Sequence, residues 1–432
     1  MAARRPLTLF CATLLLTLQL RLFSAEDESL RAGASRIDIT PTLPVMLAGY
    51  ESRNHVSEGV HDPLSARALA FEQGRRRLVL VSIENLGFYN NTAPPLRQAI
   101  LDTCQLQPAE LFLAAIHTHS APTLTLDPDK GHSNNVAYTR TLQAQLVQVV
   151  REALARIVPV IVQAGSGSSP VGANRRQVAR DEFGNPRVVL GRNPSILTDR
   201  EVQVLKISHA EGGEFAAVLW AYNTHSTSLG PRNYLVSGDV HGLAMQFLER
   251  YLGNGTVAAG FAGASGNIDP WYRVLPEFRT TNGWIPEPVL QGTLLGEEVA
   301  RVFEEIPKLN LAGPINAVWR TLELPGKLAG ETMVTNDCPP TPLNLAVARI
   351  GQVAFVGLGG EVFNEIGQAI KTASPFAHTI IMTHCNGAAG YLPIRPAYLE
   401  GGYEVRSSKF GPDAAEQVVK EALSMLHAIH AL

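Results

Sequence analysis

Two histidines one residue apart, in His117-Thr118-His119-Ser120, carry the first chemical signal in the chain. On an extended segment, side chains at i and i+2 point the same way, so one imidazole can bind a metal while its neighbour faces a substrate. Further polar groups stand at the ends of other apolar runs. These are His225 in Asn223-Thr224-His225-Ser226-Thr227, the stretch Ser265-Gly266-Asn267-Ile268-Asp269, Glu361 behind Gly359-Gly360, His384, and Tyr391 after Gly390. Two imidazoles and a carboxylate suit zinc and leave a position open for water or substrate. Zinc lowers the pKa of its bound water and polarises a carbonyl, which is the machinery for hydrolysing an amide or ester.

Taken singly, the same residues have ordinary uses. A His-x-His pair or a lone His225 is as readily a hydrogen-bonded loop or core histidine. Glu361 can favour a helix N-terminus through the macrodipole, and Tyr391 can be turn packing. A serine nucleophile has less support. No Gly-x-Ser-x-Gly elbow follows a strand, and Gly263-Ala264-Ser265-Gly266-Asn267 misses that spacing by one residue.

The elements that must position these groups are apolar runs of strand length alternating with amphipathic helices. Strands are expected at 77–83, 111–116, 158–164, 202–207, 215–222, 257–261, 353–358 and 379–382. Helices are expected at 95–103, 138–157, 240–251, 290–305, 362–372 and 414–429. In the second of these, Leu142, Leu146, Val149, Val150 and Ala153 form one stripe at helical period. Segments 165–172, 270–288 and 335–343 read as surface loops. The alternation predicts an α/β layer fold: one large domain with a mixed, largely buried sheet flanked by helices. Runs apolar on both faces belong in the middle of a covered sheet. In open α/β sheets, ligands bind outside the carboxyl ends of the strands, where the His, Glu, Asp and Tyr clusters fall.

Residues 1–25 read as a cleaved signal peptide, with Arg4 and Arg5 before an uncharged Leu-rich run and Phe23-Ser24-Ala25 before acidic residues. A membrane anchor fits less well, because the run is short of the roughly 20 residues that span a bilayer. Residues 26–432 would then form a secreted or periplasmic domain. With 45% hydrophobic and 17% charged residues there is ample material for a core. A net charge of −3 gives no electrostatic case for nucleic acid. Cys104, Cys338 and Cys385 allow at most one disulfide, so this is no cysteine-stapled scaffold.

The segment Ala115-Ile116-His117-Thr118-His119-Ser120-Ala121-Pro122 resembles the His-Thr-His-Ser-Gly-Pro signature of neutral, non-lysosomal ceramidases. The opening Ser35-Arg36-Ile37-Asp38-Ile39-Thr40-Pro41, Asn174-Arg175, Asn223 to Ser228 with Ser237-Gly238-Asp239, Gly359-Gly360-Glu361, Gly390-Tyr391 and Glu400 to Glu404 are similar to further motifs of that family. The resemblance implies one catalytic zinc, with His117, His225, Glu361 and Tyr391 as ligands. It implies that His119, Arg175 and Tyr403 surround the metal, His119 moving protons while Arg175 and Tyr403 stabilise the oxyanion. Zinc-bound water would cleave the N-acyl bond of a ceramide-like lipid to a fatty acid and a sphingoid base. The partners implied are a lipid or other N-acyl substrate, with peripheral membrane contact and no nucleic acid.

Two departures from the pattern follow. The family's Gly-Asp-Val-Ser-Pro stands here as Gly266-Asn267-Ile268-Asp269-Pro270, making Asn267 and Asp269 candidates for the periphery of the site. The family's β-rich C-terminal domain is not expected after the final helix. Two other functions stay open: a zinc hydrolase of a different amide, lactone or ester, and a non-catalytic secreted binding protein on the same fold.

Overall fold

The computed structural model describes residues 29–196, 198–212, 216–270, 287–328, 330 and 338–432. The expected leader at 1–25 and the stretch 271–286 lie outside the described residues. Among those described, two principal sheets carry the fold. The first comprises β1 (Arg31–Asp38), β2 (Ser65–Gln73), β3 (Arg76–Ile83), β4 (Leu111–Ala115), β5 (Val158–Ser168), β6 (Glu201–His209), β7 (Ala216–Tyr222) and β8 (Val257–Ala262). Their spatial order is β8-β7-β6-β5-β1-β2-β3-β4. The second comprises β9 (Ile315–Leu324), β10 (Thr341–Ile350), β11 (Val353–Leu358) and β12 (His378–Met382), paired in that order.

Most pairings are antiparallel, and β3–β4, β7–β8 and β11–β12 are parallel. Parallel neighbours need a crossover, which is supplied by α1 (Ala93–Cys104), α3 (Asp239–Leu252) and α5 (Asn364–Ala373) respectively. The remaining long helices are α2 (Ser133–Ala155), α4 (Glu287–Glu305) and α6 (Ala414–His430).

Side-chain alternation along the strands sorts the core into layers. Leu80, Phe112, Leu205 and Phe261 of the first sheet face Val353, Phe355 and Met382 of the second, so the sheets pack face to face. On the outer face of the first sheet, Val79, Val81 and Leu113 meet Leu96 and Ile100 of α1 and Leu142 and Leu146 of α2. Val218 and Trp220 meet Met245 of α3 and Leu295 of α4 on that same face. Val356 and Leu358 meet Ile366 of α5 and Val418 of α6 beyond the second sheet. Each such large apolar side chain contributes roughly 1.5–3 kcal/mol through its burial.

The architecture is therefore α/β, in four layers of helix, sheet, sheet and helix. The expected α/β domain with a mixed, largely buried sheet flanked by helices is present, and its strands divide into two sheets whose inward-facing residues bury against each other. The loop expected at 165–172 is corrected in part, since β5 runs to Ser168. Its glycines admit α4: a Cβ on Gly167 would lie 2.0 Å from Glu298 Oε1, and one on Gly165 would lie 2.8 Å from Ile306 Cγ1. The helix expected from 362 begins at Asn364, because Glu361–Val362 pairs as a short parallel strand with Tyr391–Leu392. Among the described residues no helix is long and apolar enough to cross a membrane.

Candidate metal centre

Short pairings at the carboxyl ends of the strands draw the polar clusters together. Thr118, beyond β4, bridges in parallel to Ser226, beyond β7, and His119 N donates to Ser226 O at 3.1 Å. His117, His119 and His225 thereby share one point. Glu361, beyond β11, stands in register with Tyr391. Ala114 bridges to Cys385, which sets His384 beside His117 with ring centroids 3.9 Å apart and planes at 12°.

His117 is not extended as its neighbours suggested. Its φ is 62°, a left-handed conformation that costs on the order of 1 kcal/mol for a non-glycine residue and is typical of functional sites. This turn makes the His117 and His119 rings converge, with their Nε2 atoms 3.3 Å apart. His117 Nδ1 lies 2.7 Å from Leu86 O. His225 Nδ1 lies 2.8 Å from Ser265 O and 3.0 Å from Ile268 O. A carbonyl can only accept, so both Nδ1 atoms carry the proton and both Nε2 atoms present a lone pair. A ligating histidine is oriented in this way.

Glu361 Oε1 accepts a hydrogen bond from Tyr89 OH at 2.6 Å. Its Oε2 is buried with no hydrogen-bond partner among the described residues, 3.3 Å from His117 Nε2 and 3.6 Å from His225 Nε2. Ligands bound at about 2.0–2.1 Å around a tetrahedral ion stand roughly 3.3–3.4 Å apart. The donor set and its spacing thus fit a divalent metal. One ring nitrogen from each of His117, His119 and His225 falls within 4.8 Å of the others, so His119 also lies within reach of such an ion.

Arg175 closes the other side. Its Nε donates to Glu404 Oε1 at 2.8 Å, Nη1 to Asp269 Oδ1 at 3.1 Å, and Nη2 to Gly266 O at 2.9 Å and Tyr391 OH at 3.0 Å. Nη1 also lies 3.2 Å from His225 Nε2. Tyr403 is 41% exposed at the rim, its ring edge-on to Tyr391 at 5.6 Å. The side chain of Asn267 is turned to the start of α5, where it accepts from Asn364 N and donates to Glu365.

Burial holds the imidazoles of His119, His225 and His384 below their ordinary range, His119 and His384 strongly so. The neighbouring histidines add to this at His119 and His384, and the Arg175 charge adds to it at His225. Burial alone would push Glu361 up, but the facing His117 and His225 outweigh it and hold the carboxyl well below its usual range. An ionised carboxylate is the state in which Glu361 can hold a cation.

The family model described as neutral/alkaline non-lysosomal ceramidase, N-terminal, matches residues 30–270. The chain belongs to the neutral/alkaline non-lysosomal ceramidase family. Membership makes this ceramidase-family chain a hydrolase. The neutral ceramidase of Pseudomonas aeruginosa is 26% identical over 95% of this chain and 73% of its own length. Neutral ceramidase B of Dictyostelium discoideum is 29% identical, over 55% of this chain and 34% of its own length. The chain thus spans about a third of the Dictyostelium relative. Among solved structures, that of neutral ceramidase from Pseudomonas aeruginosa superposes with a TM-score of 0.75 at 20% identity, covering 94% of this chain and 75% of that one. A ceramidase complexed with C2 superposes with a TM-score of 0.72 at 20% identity. The fold is that of the ceramidases.

The structure gives a place in the site to three residues that had no role from the sequence. Tyr89 lies beyond β3, at the kind of strand end that already marked the other clusters. Glu404 adjoins Tyr403 and binds Arg175, and also Arg176 Nη1 at 2.8 Å. His384 stood at a strand end but had no role until its stacking on His117 was visible.

Proposed function

We propose that this ceramidase-family chain is a zinc-dependent amidohydrolase that cleaves the N-acyl bond of ceramide-like lipids, giving a fatty acid and a sphingoid base. One observation carries the reading: a buried Glu361 Oε2, without a hydrogen-bond partner among the described residues, facing two histidine Nε2 atoms at 3.3 and 3.6 Å. His117, His225, Glu361 and Tyr391 would hold the ion. When bound, it would supply Lewis acidity to the acyl carbonyl and acidify a water.

The chain's own residues supply the rest. His119 shares the metal point and would take the proton from water and return it to the departing nitrogen as the C–N bond breaks. Such transfer typically contributes 10²–10⁴-fold. Arg175 and Tyr403 would face the developing oxyanion, and losing one donor of that kind costs on the order of 3 kcal/mol. Tyr89 also lines a cavity of about 890 Å³ with Phe88, Trp319 and Ala389. We propose further that residues 1–25 are a cleaved leader, that 26–432 form one hydrolase domain, and that the protein acts outside the cytoplasm, in contact with lipid.

The test is fatty-acid release from N-acylsphingosines and simpler N-acyl amines, with and without a zinc chelator. Chelator-sensitive release from the sphingolipids is expected, and His225→Ala should lose both zinc and turnover. Release confined to simple amides or esters would move the substrate and keep the chemistry. Zinc occupancy without turnover on any acyl substrate would favour a binding protein. A fully zinc-loaded, active His225→Ala protein would sink the ligand assignment.

A further inference from the structure

Arg175 is almost entirely buried, and all five of its N–H groups are spoken for. Nε serves Glu404; Nη2 serves Gly266 O and Tyr391 OH; Nη1 serves Asp269 and His225 Nε2. A side chain so committed has nothing left to offer a substrate. One of the five contacts is incompatible with a bound metal. The proton of His225 is fixed on Nδ1 by Ser265 O and Ile268 O, so its single lone pair is on Nε2. A lone pair donated to an ion is withdrawn from Arg175, and one Nη1–H is released inside the site.

Where that N–H then points depends on what still holds Nη1. Among the described residues its other anchor is Asp269 Oδ1. Asp269 is itself held on a short strand, Ile268–Pro270, paired antiparallel with Gly172–Asn174, which leads straight into Arg175. Its Oδ1 also lies 3.9 Å from His225 Nδ1, so a single carboxylate oxygen borders both the arginine and the histidine.

We propose that Asp269 is a positioning residue that keeps Arg175 Nη1 at the metal point. There the released N–H faces the reacting carbonyl, and the Asp269 carboxylate offsets the guanidinium charge that would otherwise oppose a dication. The proposal rests on the metal-hydrolase reading above. It gives Asp269 no bond to the substrate. Charge and geometry both follow: without Asp269, Arg175 repels the ion more strongly and Nη1 loses its aim.

The test uses the chain with its metal removed and then titrated with zinc against a chromophoric chelator, comparing wild type, Asp269→Asn and Asp269→Glu. Partners of this kind typically set metal affinity or activity by 10–100-fold. Asp269→Asn should weaken zinc binding by about that factor, and once saturated with zinc it should show a lowered kcat with little change in KM. Asp269→Glu, which keeps the charge, should recover much of the affinity. Near-ultraviolet dichroism checks that each variant is folded, and if Asn is not, the Glu variant's affinity and kcat against wild type decide. Unchanged zinc affinity and unchanged kcat in Asp269→Asn would overturn the proposal. So would normal zinc affinity with no turnover, together with an acyl adduct on Asp269 in wild type, which would make it the nucleophile. Failure of wild type to bind zinc would instead indict the metal assignment, and the positioning role with it.

Discussion

Tyr89 decides which oxygen of Glu361 is left for a cation. Its hydroxyl donates to Oε1 at 2.6 Å, and Oε2 is left bare toward the histidines. A carboxylate tied at one oxygen presents the other in a fixed direction, which favours a single-oxygen ligand over a chelating one. Tyr89→Phe keeps the ring and removes only that donor. Leaving a buried acceptor unsatisfied costs about 1–3 kcal/mol, and part of that loss should appear as a roughly tenfold weaker hold on zinc. Competition titration of the folded variant measures it, and an unchanged affinity would show that Tyr89 only packs. At this scale the sequence disclosed donors and not their partners. His117, His225, Glu361 and Tyr391 declare themselves by chemical type at strand ends. Tyr89 is an ordinary tyrosine until its hydroxyl is seen on Glu361. The same holds for Glu404, whose tie to Arg175 crosses more than two hundred residues of chain.

The element that aims Glu361 is a two-residue strand, Glu361–Val362, lying on the turn that follows β8. Gly266 N donates to Val362 O at 2.8 Å. A Cβ on Gly266 would stand 2.6 Å from Glu361 O and 2.9 Å from Val362 O. Those are backbone atoms, which cannot rotate aside as a side chain can. Gly266→Ala must therefore push the Glu361 strand away from the turn. Overpacking of this kind costs typically 1–3 kcal/mol. Thermal unfolding should show a lower midpoint, and zinc titration a weaker site. A variant with wild-type stability and affinity would mean that the strand yields freely.

Much of the framework was legible because its periods are strong, as the eight strands and six helices expected from apolar patterning show. The ten-residue strands Ile315–Leu324 and Thr341–Ile350 were not expected, and the second begins inside the loop expected at 335–343. β1 and β2 were not expected either, since Arg31–Asp38 and Ser65–Gln73 are rich in small and charged residues and owe their strand state to pairing with each other. The division into two sheets was equally hidden. A strand such as Val353–Leu358 reveals that both faces are buried, but not that one meets a sheet and the other α5 and α6.

Across the whole molecule the site lies where the two sheets join. His117 and His225 leave the first sheet through β4 and β7, and Glu361 and Tyr391 follow β11 and β12 of the second. An ion held by all four would cross-link the layers, and segments far apart in the chain would separate only by releasing it. A ligand bound by the folded state and not the unfolded one stabilises by RT ln(1 + [L]/Kd), about 2.7 kcal/mol at a hundredfold excess over Kd. Removing zinc with a chelator should therefore lower the unfolding midpoint of wild type by several degrees, and restoring zinc should raise it again. His225→Ala, with one ligand gone, should melt at the same temperature with and without chelator. Tyr89→Phe should keep a chelator response that is smaller than wild type, because it weakens the site without dismantling it. That ranking separates a structural link between sheets from a loosely held ion. If wild type and His225→Ala respond alike, no ion bridges the layers, and the convergence of four strand ends would have to be explained by packing alone.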